Sequence, residues 1–240
     1  MIKSVIAQDF HIPFQDPKLL ELFLAFLKRE KPDRVYLPGD IMDCYHISRF
    51  DKDPERRHTL QDEIDETHDL LVDIINISQA QVYFSAGNHE KRLQKYLWSK
   101  APALASLRGL KLPILLELKG LGVKYSEDGY WLGDLFVTHG SVIRQHSAYT
   151  ARGEIEKNGC SGISGHTHRD GKHTVRKRGG NLAWWENFCM CGLNPEYVEG
   201  IANWSQGWSV VHTVNKRPYV EQICVNADYT YIYGGKVYGI

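Results

Sequence analysis

The sequence predicts an α/β fold in which two packed sheets carry helices on their outer sides. Three observations lead there. Up to about Ala86, short apolar runs alternate with helical periodicity, as strand–helix units do. After Ser126 the texture changes to short strands separated by Gly, Asn and Asp turns, which predicts a second, mainly antiparallel sheet. No low-complexity linker or internal repeat divides the 240 residues, so a single domain over 1–240 is expected.

Taken in order, Ile2 to Ala7 reads as the first strand. Pro17 opens a helix whose Leu19, Leu20, Phe23, Leu24 and Leu27 share one face, and Lys31-Pro32-Asp33 ends it. Val35 to Leu37 is the next strand. A second helix is expected to start at Asp53-Pro54, with Asp as cap and Pro in the first helical position. It carries Leu60, Ile64, Thr67, Leu71 and Ile74-Ile75 inward. Gln81 to Ser85 is the third strand. Tyr130 to Leu132, Leu135 to Thr138, Ile163-Ser164, Ser209 to Val214 and Tyr219 to Val225 supply the later strands, with one helix at about Ser147 to Lys157.

The 42% hydrophobic and 24% charged content belongs to an ordinary globular chain. Twenty-nine basic residues balance 29 acidic ones, so no global field draws in a polyanion, and electrostatic specificity must come from local patches. Five cysteines without regular spacing (Cys44, Cys160, Cys189, Cys191, Cys224) argue for buried free thiols in a reducing compartment. The chain opens straight into a strand-like segment, so no signal peptide is expected. Its longest apolar stretches, Leu19 to Leu27 and Leu112 to Leu118, are too short to span a bilayer. No membrane association is expected, and a cytoplasmic location is. Oligomeric state is not legible.

Chemistry is concentrated in five clusters: Asp9-Phe10-His11, Gly39-Asp40-Ile41-Met42-Asp43, Gly87-Asn88-His89-Glu90, His139-Gly140 and Gly165-His166-Thr167-His168. Each comes just after a short apolar run, which predicts side chains gathered at strand ends, where open α/β folds build their sites. Asp9 and His11 alternate, so the backbone must turn for both to reach one ion. Gly39 lets the chain bend and bring Asp40 between two ions. Carboxylates, an amide and several imidazoles form a mixed N/O set suited to Mn, Fe, Zn or Co more than to Mg or Ca alone.

These ordered clusters resemble the signature of the calcineurin-like metallophosphoesterase family, over Asp9 to His168. The resemblance implies a four-layer α/β/β/α sandwich with two mixed sheets. It also implies two divalent metal ions. Asp9, His11, Asp40 and His168 would hold one; Asp40, Asn88, His139 and His166 would hold the other, with Asp40 shared. His89 would be the general acid, oriented by Asp43. Manganese is the ion expected to serve in vitro, with Fe, Zn, Co or Ni as alternatives. The implied reaction is hydrolysis of a phosphate ester by a hydroxide bridging ions about 3.5–4 Å apart.

Two departures from the family pattern bear on substrate. The interval between Asp43 and Gly87 is long, and 51–78 is expected to be a helical insertion near the cleft. Cys44-Tyr45 follows Asp43 in place of the Arg-Gly of the serine/threonine protein phosphatase branch. His46, Arg92, His146 and Arg169 are candidate substrate contacts. The cationic run Arg169 to Arg178, and Lys91, Arg92 and Lys95, are candidate phosphate-backbone contacts; solvated surface is the ordinary alternative. Trp184, Trp185, Trp204 and Trp208 could stack bases, though sheet packing is commoner. The expected function leans to phosphodiesters, with nucleic acid a candidate substrate. Phosphomonoester hydrolysis is the alternative within the enzyme class. A non-catalytic scaffold, as in the retromer subunit of this fold, is the alternative outside it.

Overall fold

In the computed structural model, which describes residues 1–194 and 200–239, strand β1 (Ile2–Ile6) sends alternate side chains to opposite faces, and this alternation sets the layers. Val5 faces a core built with helices α1 (Pro17–Glu30) and α2 (Leu60–Ser78), whereas Ile6 faces a second sheet. Strand β2 (Arg34–Leu37) repeats the pattern: Val35 and Leu37 meet the helices and Tyr36 meets the other sheet.

The first sheet is completed by β3 (Gln81–Ser85), β4 (Lys124–Ser126), β10 (Gln206–Val214) and β11 (Arg217–Val225), in the order β11-β10-β1-β2-β3-β4. β1 to β4 run parallel, and β10 and β11 are added antiparallel beside β1. The second sheet has the order β5-β6-β7-β9-β8, from β5 (Tyr130–Leu132), β6 (Leu135–Val137), β7 (Ser161–Ser164), β8 (Gly171–Lys177) and β9 (Gly180–Glu186). Its inner strands β6, β7 and β9 are parallel, and β5 and β8 are antiparallel edges. Helix α5 (Tyr149–Asn158) covers its outer side through Ala151 and Ile155 on Trp184. The result is the expected four-layer α/β/β/α sandwich with two mixed sheets. A short hairpin, β12 (Tyr231–Tyr233) and β13 (Lys236–Tyr238), closes over the end of α1, where Tyr231 packs on Phe26.

Two expectations are corrected. Ser209 to Val214 and Tyr219 to Val225 do not extend the second sheet; they return to the first, because the Ile2–Ile6 edge is open to antiparallel pairing. The second sheet is therefore mixed, not mainly antiparallel. The second helix does not start at Asp53-Pro54. Asp53 Oδ1 accepts only a local turn bond from the Glu55 amide, whereas Thr59 and Asp62 form a reciprocal capping box that starts α2 at Leu60. The apolar face of α2, through Ile64, Leu71 and Ile74, packs in the core with α1, so the helical part of 51–78 forms an outer layer and only the segment before Thr59 is loop.

Helix α3 (Lys91–Lys100) follows the third cluster and buries none of its side chains fully. It is continued by turns at 102–104 and 108–110 and the short helix α4 (Leu112–Leu115). No helix of the described residues is long and apolar enough to cross a membrane.

Candidate metal centre

All five clusters lie just past the C-terminal ends of parallel strands: β1, β2 and β3 in one sheet, β6 and β7 in the other. The sheets face each other, so these ends converge on one depression. The loops make sharp local turns. Asp9, His11, Asp40, His166 and His168 all adopt left-handed backbone conformations, with φ between 50° and 71°. Such strain in non-glycine residues persists where surrounding structure overdetermines it. It resolves the alternation problem, since a left-handed Asp9 and His11 direct both side chains inward. Gly39, at φ 94°, packs against the Gly87 backbone with no room for a Cβ, and a Cβ on Gly87 would overlap the Asp40 carboxylate.

The seven candidate ligands form two overlapping groups. In the first, Asp9 Oδ1 lies 3.7 Å from His168 Nε2 and 4.0 Å from His11 Nε2, and the two imidazole nitrogens are 3.0 Å apart. In the second, His139 Nε2 lies 3.3 Å from Asp40 Oδ2, 2.9 Å from Asn88 Oδ1 and 3.1 Å from His166 Nδ1. Asp40 Oδ2 is also 3.9 Å from His11 Nε2, which puts this carboxylate between the groups.

The donors fit divalent cations. Asp9 Oδ1 is buried and has no hydrogen-bond partner, a costly state unless a cation faces it. Its 3.7–4.0 Å separations from imidazole nitrogens are too long for hydrogen bonds. They suit atoms sharing an ion at about 2.0–2.2 Å each. The ring nitrogens turned away from the centre are engaged: His11 Nδ1 donates to Asp43 Oδ1 at 3.1 Å, and His139 Nδ1 to the Pro38 carbonyl at 3.2 Å. Each such bond leaves Nε2 with its lone pair inward, as metal-ligating histidines require.

Electrostatics agree. Burial, then neighbouring histidines, lowers the pKa of His11 and drives that of His168 well down; His166 is lowered to about 4 by the same causes. These rings are neutral at neutral pH, the form in which an imidazole can take up a metal ion. Burial, with Asp40 repulsion partly offset by His139, pushes Asp9 up to about 8. His139 is raised to about 9 because Asp40 and Asp9 outweigh its burial. Without cations the cluster therefore retains protons on Asp9 and His139.

Asp43 does more than the sequence indicated. Its Oδ1 accepts from His11 Nδ1 and also lies 3.0 Å from His89 Nδ1, which meets the Asp43 carbonyl at 2.9 Å. Burial would lower the pKa of His89, but Asp40 and Asp43 hold it above the ordinary histidine value. Of the four candidate substrate contacts, Arg92 alone is joined to this centre by hydrogen bonds among the described residues. It donates to the Asp43 carbonyl at 2.7 Å and approaches His89 Nε2 at 2.8 Å. Arg169 instead binds the carbonyls of Arg144 and Gln145 and braces that loop. His46 meets the His58 carbonyl, and His146 packs on Tyr149 at the surface. Trp184 and Trp208 are fully buried, so the packing alternative holds for those two; Trp204 is half-buried and lies edge-on to His168.

Two residues carry structural weight that sequence reasoning missed. The Glu90 carboxylate accepts four backbone amides, from Asp40, Ile41, Met42 and Gly87, and so clamps the loop carrying Asp40. Its place directly after Asn88-His89 was the available signal. Glu63 on α2 accepts the amides of Cys44 and Tyr45, which anchors the chain beyond Asp43. Cys189 and Cys191 are buried, as expected of free thiols, but with His168 they form a group whose donor atoms lie within 4.8 Å of one another.

Comparison with known proteins settles the lineage. Residues 5–235 match the calcineurin-like phosphoesterase family. The chain belongs to that family. It is 30% identical to the Gene 54 protein of Mycobacterium phage D29 and 29% identical to that of phage L5. Each match covers 87% of this chain and 88% of the relative. Among solved structures it is similar in fold to Vps29 of Chaetomium thermophilum (TM-score 0.53, 9% identity, 100% of this chain and 99% of that one). It is also similar to zinc-complexed Vps29 of Entamoeba histolytica (TM-score 0.50, 13% identity, 99% and 96%).

Proposed function

We propose that this metallophosphoesterase is a two-metal hydrolase of phosphodiesters, nucleic acid among them. One observation carries the reading: a single carboxylate, Asp43, holds both a candidate metal ligand, His11, and a candidate acid, His89. A scaffold has no need to tie an acid to a metal ligand. Asp9, His11, Asp40 and His168 would hold one ion, and Asp40, Asn88, His139 and His166 the other. When bound, the ions supply an activated water and offset charge developing at phosphorus.

The chain's own groups do the rest. His89 Nδ1 faces Asp43, which leaves Nε2, 2.8 Å from the Arg92 guanidinium, as the atom that would carry a proton to the departing oxygen once Arg92 turns to the substrate. Its raised pKa keeps that proton available near neutral pH. Arg92 shares Asp43 with His89 and offers a guanidinium for a non-bridging oxygen. The lean to diesters rests on Arg92 beside the centre and on the exposed Lys172 at the near end of β8; the register carries Arg176, Lys177 and Arg178 to the far end of the β8–β9 hairpin, away from the His166–His168 loop.

The test is hydrolysis of bis(p-nitrophenyl) phosphate against p-nitrophenyl phosphate with Mn²⁺, using wild type and His89→Ala. The proposal expects the diester to be preferred and His89→Ala to lower its turnover. A strong monoester preference sinks the diester assignment. No hydrolysis of either ester by metal-loaded protein leaves the scaffold reading in its place.

A further inference from the structure

Helix α3 is an unusual element for a fold of this compactness. It leaves the third ligand cluster directly, buries no side chain fully, and displays Trp98 at 60% and Tyr96 at 42% exposure. From Lys91 to Leu116 the chain carries six cations (Lys91, Arg92, Lys95, Lys100, Arg108 and Lys111) and no carboxylate. That is a strongly positive segment in a chain whose net charge is zero. The inner stripe of α3 is accounted for: Leu93 and Leu97 line a pocket with Leu110 and Leu112. Its outer stripe is not.

Along that outer stripe Lys91, Lys95 and Trp98 succeed one another at helical spacings of four and three, so they share a face. They span about 10 Å of helix axis. Lys91 also lines a cleft of about 350 Å³ whose wall includes Asn88, His139 and Lys157. The stripe therefore starts beside the candidate metal ligands and runs away from them. The cleft wall also holds Glu127, Asp128 and Glu154; Glu154 accepts the amides of Ser141 and Val142 and Glu127 the Tyr125 hydroxyl, and none of the three lies on α3.

We infer that the outer face of α3 is a track for single-stranded nucleic acid leading into the metal centre. The inference rests on the phosphodiester reading above and names the substrate class. Cations spaced along a surface follow a phosphate backbone, and the exposed Trp98 ring that ends the row offers a face on which an unpaired base stacks. Duplex bases are already stacked and cannot use Trp98 in this way. An acidic polypeptide would match the charge but not the exposed indole and phenol.

The experiment is fluorescence anisotropy of a labelled oligothymidylate with the full chain in chelator, which separates binding from cleavage. Trp98→Ala is expected to weaken binding roughly tenfold or more. Lys95→Gln is expected to reduce the salt dependence by about 0.7 in log–log slope. Both variants should hydrolyse bis(p-nitrophenyl) phosphate at the wild-type rate, since neither residue touches the metal-ligand set. Equal binding by wild type and Trp98→Ala overturns the inference, as does tighter binding of the duplex or equal competition by polyglutamate. A fall in sedimentation mass on Trp98→Ala would assign the face to self-association instead. If bis(p-nitrophenyl) phosphate is hydrolysed while both variants bind normally, the track fails and the phosphodiester reading stands. If no ester is hydrolysed but Trp98→Ala loses the oligonucleotide, the binding surface stands without that reading.

Discussion

Replacing Asp43 probes metal binding and acid chemistry through one side chain. Its Oδ1 accepts from His11 Nδ1 at 3.1 Å and lies 3.0 Å from His89 Nδ1, which also meets the Asp43 carbonyl, while Oδ2 lies 3.5 Å from Arg92. Asn in the same rotamer keeps an oxygen for both histidines, loses the charge and turns an amide N–H toward Arg92. A charge-assisted hydrogen bond contributes about 1.5–3 kcal/mol and a neutral one about 0.5–1.5, so each bond weakens by roughly 1–1.5 kcal/mol. That corresponds to about a 5- to 10-fold loss. Asp43→Asn should therefore weaken ion binding at the His11 side about 5- to 10-fold and lower the pKa of His89. Asp43→Ala removes the His11 bond and the carboxylate beside His89, whose Nδ1 keeps the residue 43 carbonyl, and should cost about 10- to 100-fold in metal affinity. The assay is Mn²⁺ titration by calorimetry, followed by turnover at saturating metal with diesters of good and poor leaving groups. Alkyl leaving groups need the proton from His89 and should slow more than p-nitrophenolate. Metal affinity and leaving-group dependence both within twofold of wild type in Asp43→Ala would refute the reasoning.

Other perturbations test separate parts of the centre. Glu90→Gln replaces the acceptor of the Asp40 and Gly87 amides, at 2.9 and 2.8 Å, with a donor; loss of two charged bonds predicts about 3–6 kcal/mol lower stability in urea denaturation of metal-free protein. A change under about 0.5 kcal/mol would show that the clamp contributes nothing. Gly87→Ala places a Cβ against the Asp40 carboxylate, and the displaced carboxylate should cost about a hundredfold in turnover; wild-type turnover would mean that Asp40 is not a bridging ligand. Metal uptake should release protons, because Asp9 near 8 and His139 near 9 are both raised in the metal-free cluster and must deprotonate to bind. Affinity should then rise as pH increases from about 6 to 8, tenfold per unit for each proton released, as seen by calorimetry in buffers of different ionisation enthalpy. Affinity flat with pH would contradict the protonation states argued above.

The convergence of the candidate ligands was legible because each of them sits in a short motif at a strand end, and local spacing fixes what such a motif presents. The left-handed turns at Asp9 and His11 follow from the need to bring alternate residues to one ion. Long-range pairing was not legible. Nothing local to Ser209–Val214 states that it will lie beside Ile2–Ile6 and not beside Ile163-Ser164. The start of α2 was misread because two cap signatures compete, Asp53-Pro54 and Thr59-x-x-Asp62, and only the second is followed by uninterrupted helical periodicity. Glu90 went unassigned because a carboxylate that accepts backbone amides looks, in sequence, like one that binds an ion. Arg92 and Arg169 carry the same charge near the same motifs, and only the fold shows that one bonds to Asp43 and the other to a loop backbone.

The central claim is that seven side chains hold two ions on either side of Asp40. Anomalous diffraction from crystals grown with Mn²⁺ tests it most directly. Two peaks should appear, one ringed by Asp9, His11 and His168 and the other by Asn88, His139 and His166, with Asp40 touching both. A single peak, or a peak held only by His168, Cys189 and Cys191, would contradict it.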